Sequence, residues 1–446
     1  MIDKYLYEND LLKCTLSAID GVSIARGDED YAKRVMDMPM SYDLFCTLSE
    51  CAQTIGVTKN FKEVIDYFKV PANETPAGFR LGFELKASGL LLVDLVRDIS
   101  YDKNCEKRPT QLLFSADSAN PYEVVSIKNL IANLTCNPAI IYNMFINNPK
   151  ANVGNKFKTR DEVMAELARI LGPGIDISVE LNDPFSTPES QLLEEAARFR
   201  EILGKWRTVI KIPHTGPVNS GNVNELLTGD KMFKTRYNAG SAESNFRGHN
   251  LALLMKENGY KVNFTLMFDQ YQTSMALQAR PYFINSFVMF RQTQTQRIKG
   301  LLGAYEVSGD DAFLEELRNY MVQNDYLASG ELALDLHTVK SRAEYLSDYR
   351  GFEACGYDGF EGLDGVKHNL RVMRTCNMED SRLIICNIQG EEIYPFLDTT
   401  LFNGEFDDVM DKIVITSPPA HLAQFTSSPL VVQFHRRFMN AAAGQK

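Results

Sequence analysis

The sequence has few of the features that assign a function at sight. Its eight cysteines, Cys14, Cys46, Cys51, Cys105, Cys136, Cys355, Cys376 and Cys386, are scattered, with no CxxC pair. That spacing excludes a disulfide framework, and no His/Cys/Asp cluster has metal-ligand spacing, so neither a metal nor another cofactor is expected. Positive charge is short: 47 Lys+Arg against 58 Asp+Glu leave a net charge of −11 in 446 residues. This balance argues against a protein that coats nucleic acid or an anionic membrane. Apolar runs such as Gly89–Val93 are far too short to span a bilayer. The opening MIDKYLYEND carries charge where a signal peptide needs an apolar segment. With unpaired cysteines, this predicts a protein of the reducing cytoplasm. No GxGxxG follows the first strand candidate, which disfavours a dinucleotide-binding sheet. Gly216–Gly221 has phosphate-loop spacing, but Asn222-Val223 replaces the Lys-[ST] such a loop needs. The acidic 351–365 segment lacks the residue order of a calcium loop and reads as a solvated loop.

What the chain does have is periodicity, within an ordinary globular composition of 44% hydrophobic and 24% charged residues. Residues 1–105 read as a helical N-terminal extension. Tyr31–Cys51, Phe61–Val70 and Phe83–Ile99 carry apolar residues at mixed spacings of three and four. From 106 the pattern becomes strand–helix alternation. Strand candidates are 111–117, 133–138, 176–181, 207–213, 261–268, 282–288, 382–388 and 412–417. Between them lie amphipathic helices, such as the one opened by the capping box Thr159-x-x-Glu162 and stopped by Gly172. A second opens at Ser186-x-x-Glu189 and carries Leu192, Ala196, Phe199 and Leu203 on one face. Eight such units predict a closed α/β (β/α)₈ barrel over 106–446. A helical insertion at about 298–380 interrupts it before the seventh strand.

In such a barrel the polar residues at C-terminal strand ends are the functional candidates. Here they are Asp117, Asn137, Glu180, Lys211, Asn263, Thr265, Asn285 and Ser286, drawn from six strands or strand ends. Lys211 interrupts the apolar TVIKIP. It is either a boundary lysine snorkelling to water or a desolvated amine whose lowered pKa lets it attack a carbonyl. Glu180, in SVEL, turns inward with Ser178, where an unpaired carboxylate is costly. His214 reads as a loop residue beside the site, and Cys136 as a small buried filler.

Taken in order, Ser-Ala-Asp117, Thr135-Cys-Asn137-Pro138, Ser178-Val-Glu180, Val209-Ile-Lys211-Ile-Pro and Val262-Asn263-Phe-Thr265 resemble the transaldolases. Ile284-Asn-Ser-Phe287-Val on the sixth strand continues the likeness. The resemblance covers 111–291 closely and 382–425 loosely. It implies a metal-free class I enzyme that passes a dihydroxyacetone unit between sugars, acting on a sugar or sugar phosphate. Carried over, Lys211 is the Schiff-base lysine and Asp117 the acid/base of C–C cleavage. Glu180 and Thr265 hold the water for proton transfer, and Asn137 and Asn263 orient substrate hydroxyls.

The departures fall where the family grips phosphate. Its sixth strand usually ends Ser-Pro-Phe-Val-Gly-Arg, whereas this chain reads Asn285-Ser286-Phe287-Val288-Met289-Phe290, followed by Arg291. At the seventh strand Gln389 stands at the other arginine position. A non-phosphorylated or otherwise modified sugar is therefore expected, with Asn285 and Gln389 on its hydroxyls. The rival reading has Arg291, Lys231, Lys234 or Arg236 rebuild an anion site. Phe287 stands where free-aldol lyases of the family tend to carry tyrosine, which favours transfer over release of dihydroxyacetone. A barrel that binds a sugar or a partner without catalysis is the remaining alternative. The extra segments suit either a homo-oligomer interface or a lid.

Overall fold

The computed structural model describes residues 14–102, 106–355, 362–388 and 393–444, apart from the side chains of 351–355. The chain divides into two units. One runs to Thr110 and takes in Leu171–Asp176; the other holds Gln111–Ile170 and Ile177–Lys446.

In the first unit the helical expectation is corrected. Four strands, β1 (Ser23–Ile24), β2 (Thr54–Val57), β3 (Phe79–Leu85) and β4 (Leu90–Arg97), form a sheet in the order β1-β2-β4-β3. Phe83–Ile99, expected as a helix, is the end of β3, a turn, and β4. The run Leu90–Val93 satisfies both periods, so spacing alone cannot decide it. Gly89 does, at φ +78°, where it turns the chain so that β3 and β4 pair antiparallel. Leu91, Val93 and Leu95 then alternate into the core. Two helices form at or near the expected ranges: Tyr42–Cys51 lies within Tyr31–Cys51, and Lys59–Phe68 starts two residues before Phe61. The hydroxyls of Ser41 and Thr58 cap them, accepting from the Leu44 and Phe61 amides.

The second unit is a closed eight-stranded barrel. Its strands are β5 (Leu113–Asp117), β6 (Ile131–Cys136), β7 (Asp176–Glu180), β8 (Thr208–Pro213), β9 (Lys261–Thr265), β10 (Phe283–Phe287), β11 (Arg382–Cys386) and β12 (Ile413–Ser417). They neighbour one another in chain order, and β12 closes on β5 with Thr416 opposite Ser115. Being covered on both faces, these strands are almost wholly buried, which is why they read as short apolar runs. The Thr159–Glu162 capping box forms: the Thr159 hydroxyl accepts from the Glu162 amide at 3.2 Å, and the carboxylate accepts from the Thr159 amide at 3.0 Å. The next helix starts at Ser190, beyond the expected Ser186, and buries Leu192, Ala196, Phe199 and Leu203.

After β10 come helices Met289–Ser308, Ala312–Gln323, Leu336–Cys355 and Leu363–Arg374. The first three have a core of their own, in which Ile298, Leu301, Leu317, Met321 and Val339 are buried together. The 351–365 segment, expected as one loop, is helical up to Cys355 and again from Leu363. The helix Pro429–Gly444 buries none of its residues and exposes Leu430, Phe434, Phe438 and Met439.

Candidate active site

The register of adjacent strands assembles the site. β7 and β8 pair with Glu180 opposite Lys211, and β8 and β9 pair with Lys211 opposite Asn263. Paired residues of a parallel sheet point to the same face, so a carboxylate and an amide flank the amine. Lys211 Nζ lies 3.4 Å from Glu180 Oε2. The lysine is only 6% exposed, so it does not snorkel to water.

The electrostatics differ from the expected lowered amine pKa. Burial pulls Lys211 down, but Glu180 and then Asp117 outweigh it, and the net shift is upward. Glu180 is also raised, by burial first, with Asp117 adding to it and Lys211 opposing. The resting pair is therefore an ammonium beside a carboxylate more basic than usual. Such a carboxylate is a ready acceptor for the proton the amine must lose before it attacks.

Asp117 ends β5 and accepts a 2.7 Å hydrogen bond from the Thr135 hydroxyl of β6, which stands opposite it. Below this pair, Asn133 donates to Ser115 at 2.9 Å and accepts from Ser178 at 3.3 Å, tying β5, β6 and β7 together inside the barrel. On β9, Asn263 and Thr265 are fully buried. Among the described residues, Asn263 Nδ2 and Thr265 Oγ1 have no hydrogen-bond partner. Buried polar atoms are rarely left so, and two of them on one face of a strand beside a reactive amine fit substrate hydroxyls. Asn263 Oδ1 is used, because Asn285 Nδ2 donates to it at 2.5 Å and to the Phe264 carbonyl at 2.9 Å. Both amide protons of Asn285 are thus committed, which leaves only its carbonyl for a ligand. Asn137 precedes the helix after β6, and its Oδ1 accepts from the Ile140 amide at 2.9 Å, which leaves its Nδ2 to donate.

Several expected substrate contacts lie elsewhere. Ser286 neighbours on its strand the lumen-facing Asn285; a Cβ built on Gly365 would meet its hydroxyl at 3.8 Å, which places it toward the helix layer. Arg291 is buried and engaged: its Nη2 reaches both oxygens of Asp364, at 2.9 and 2.7 Å, with Asp269 at 3.5 Å. A guanidinium held this way is not free to grip a substrate anion. Arg236 is likewise paired with Glu331, and Lys231 and Lys234 are exposed loop residues. Phe290, at the expected arginine position, is 52% exposed. It joins Phe268 and Phe287, whose rings lie 4.6 Å apart, in an aromatic group at the end of β10. Gln389 lies outside the described residues. His214 packs on Phe264 at 4.3 Å, and burial holds it down to about 4, so it is neutral at ordinary pH. Burial pushes the Cys136 thiol up to about 12, as suits an inert filler.

Thr135, part of the second-strand series, carries no role there, and Cys386 and Thr416 are not singled out by the sequence as site residues. Cys386 is a buried thiol close enough to feel the Lys211 charge, and Thr416 Oγ1 is buried without a partner among the described residues. Their places on β11 and β12, level with Phe287 and Ser115, were the only available signal. Among the described residues, no group of three His, Cys, Asp or Glu could hold a metal ion, and no helix is long and apolar enough to cross a membrane.

A parallel barrel that buries an amine between two carboxylates at its C-terminal strand ends has the layout of an aldolase-type enzyme working through a Schiff base. Residues 114–301 match the family model described as Transaldolase/Fructose-6-phosphate aldolase, consistent with a divergent member of the transaldolase family. The matched stretch runs from β5 into the helix after β10, and so takes in Asp117, Glu180, Lys211, Asn263 and Thr265. A comparison with curated proteins returned no match. Among solved structures, wild-type sialic acid aldolase from Ruminococcus gnavus is similar at 13% identity, over 61% of this chain and 89% of that one, with a TM-score of 0.23.

Proposed function

We propose that this protein transfers a dihydroxyacetone unit from a ketose to an aldose through an imine on Lys211. The observation that carries the reading is the buried Lys211 amine, 3.4 Å from Glu180 and within the field of Asp117. On substrate binding, Glu180 takes the ammonium proton and the neutral amine adds to the ketose carbonyl. Loss of water leaves a protonated imine. Asp117 then removes the proton of the hydroxyl borne by the far carbon of the scissile bond, the carbon that becomes the aldehyde. As that bond breaks, its electron pair flows into the imine to give an enamine, and an aldehyde leaves. The enamine attacks the acceptor aldehyde, the proton returns, and hydrolysis of the new imine frees Lys211. Asn263, Thr265 and Asn137 supply the hydrogen bonds that hold the sugar. Where the family's sixth-strand arginine would stand, the sugar meets the aromatic group of Phe268, Phe287 and Phe290.

The test is product analysis on chelated protein given a ketose donor and an aldose acceptor. The imine replaces the Lewis acid of metal-dependent aldolases, so a new ketose should form at an undiminished rate after exhaustive chelation. Loss of activity on chelation contradicts the reading, and free dihydroxyacetone in place of a new ketose assigns the lyase reaction instead.

Asp117 and Thr135 provide a graded check. Asp117→Ala is expected to lower kcat by about 10²-fold or more, the usual range for a general acid–base. Thr135→Val removes a hydrogen bond to a charged group, about 1.5–3 kcal/mol, and should lower kcat by about tenfold or more while leaving KM near the parent value. An Asp117→Ala protein of full activity contradicts the role given to the carboxylate.

A further inference from the structure

A cavity of about 710 Å³ opens among the loop after β8, the loop after β9 and the helical insertion, away from Lys211 itself. Three arginines line it. Arg236 and Arg342 share one counter-charge, the Glu331 carboxylate, and Asp269 on the same wall is turned to Arg291. Arg350 is different. It is 6% exposed, and its Nη1 donates only to two neutral hydroxyls, Thr295 Oγ1 and Tyr326 Oη, each at 3.0 Å. Its Nε is buried with no partner, and among the described residues no carboxylate pairs with it. A guanidinium taken out of water without a counter-charge is costly, so a ligand that brings a negative group here is strongly favoured.

The rest of the wall indicates what carries that charge. Tyr237, Tyr271, Tyr345 and Tyr349 line the cavity with exposed rings, Tyr345 at 75%. Each presents a flat apolar face with a hydroxyl tip, suited to a sugar-sized ring. The volume is that of a small-molecule site. The loop that supplies Asp269 also supplies Phe268, whose ring packs on Phe287 at the end of β10. The cavity therefore adjoins the aromatic group that replaces the expected phosphate grip.

We propose that this cavity binds a small organic anion, a phosphate or carboxylate on a sugar-sized body, with Arg350 as its counter-charge. The claim concerns binding and stands apart from the Schiff-base reading. The test is calorimetric titration of the full-length Lys211→Met protein, which forms no imine, with inorganic phosphate, fructose 6-phosphate and fructose. Both anions are expected to bind, and Arg350→Gln should weaken each at least tenfold while leaving fructose unaffected. Ser341→Glu, on an exposed part of the wall, should weaken anions similarly without touching a buried residue, and decides alone if Arg350→Gln does not fold. Inorganic phosphate that competes with fructose 6-phosphate identifies the anion as the substrate's own end, and phosphate that binds alongside it identifies a separate ligand; either supports the site. Anion binding that is absent at millimolar concentration, or unchanged in Arg350→Gln or Ser341→Glu, overturns the proposal.

Discussion

Turnover of the Lys211→Met protein is expected to fall by on the order of 10⁴-fold or more, the scale on which loss of a covalent nucleophile is felt. Methionine nearly matches lysine in length and leaves the lumen filled, so the barrel should still fold. What changes is Glu180, which loses its ion-pair partner. Its pKa is already raised by burial, and without Lys211 only raising influences remain. An acid whose folded pKa lies above its unfolded value holds its proton longer in the native state. The variant should therefore match the parent most closely at low pH. It should lose stability as pH rises through the unfolded carboxylate pKa, levelling off above the folded one. Melting temperatures of the two proteins across pH 4–9 check this. A Lys211→Met protein with parental turnover removes the lysine from the mechanism, and a stability difference flat in pH contradicts the coupling to Glu180.

Glu180→Gln separates two roles in one side chain. Overall turnover should drop by about 10²-fold or more, because the group that moves protons on and off the amine is gone. The amine itself should respond in the other direction. Burial lowers the Lys211 pKa and Glu180 is the first of the groups raising it, so the glutamine variant leaves burial opposed chiefly by Asp117. The Lys211 pKa then falls, and the rising limb of imine trapping against pH moves to lower pH than in the parent. A merely structural glutamate would lower both rates together and leave the limb in place. Full turnover, or an unmoved limb, counts against the assignment.

How much of this could be read from the chain depends on how local each cause is. The barrel strands were legible because a strand covered on both faces must be a short apolar run, and a lysine or glutamate inside one stands out. Lys211 in TVIKIP and Glu180 in SVEL were visible for that reason, and strand register then paired them. The N-terminal sheet was not legible. Its deciding residue is one glycine, Gly89, while the leucine run beside it fits helix and strand equally. Arg291 misled because its partners are distant in sequence, Asp269 by 22 residues and Asp364 by 73. Arg350 could not be singled out at all, since its lack of a carboxylate partner among the described residues exists only after the insertion has folded. The direction of the Lys211 shift is not legible in TVIKIP, because the carboxylates that raise it, Glu180 and Asp117, come from other strands.

The most direct test of the central claim is the mass of the intact protein after borohydride reduction in the presence of a panel of ketoses, phosphorylated and not. Imine chemistry at Lys211 predicts a covalent gain of a three-carbon unit or a whole sugar, with peptide mapping placing it on Lys211. The Lys211→Met protein should gain no mass. The account is contradicted if no ketose in the panel leaves an adduct, or if the adduct persists when Lys211 is replaced.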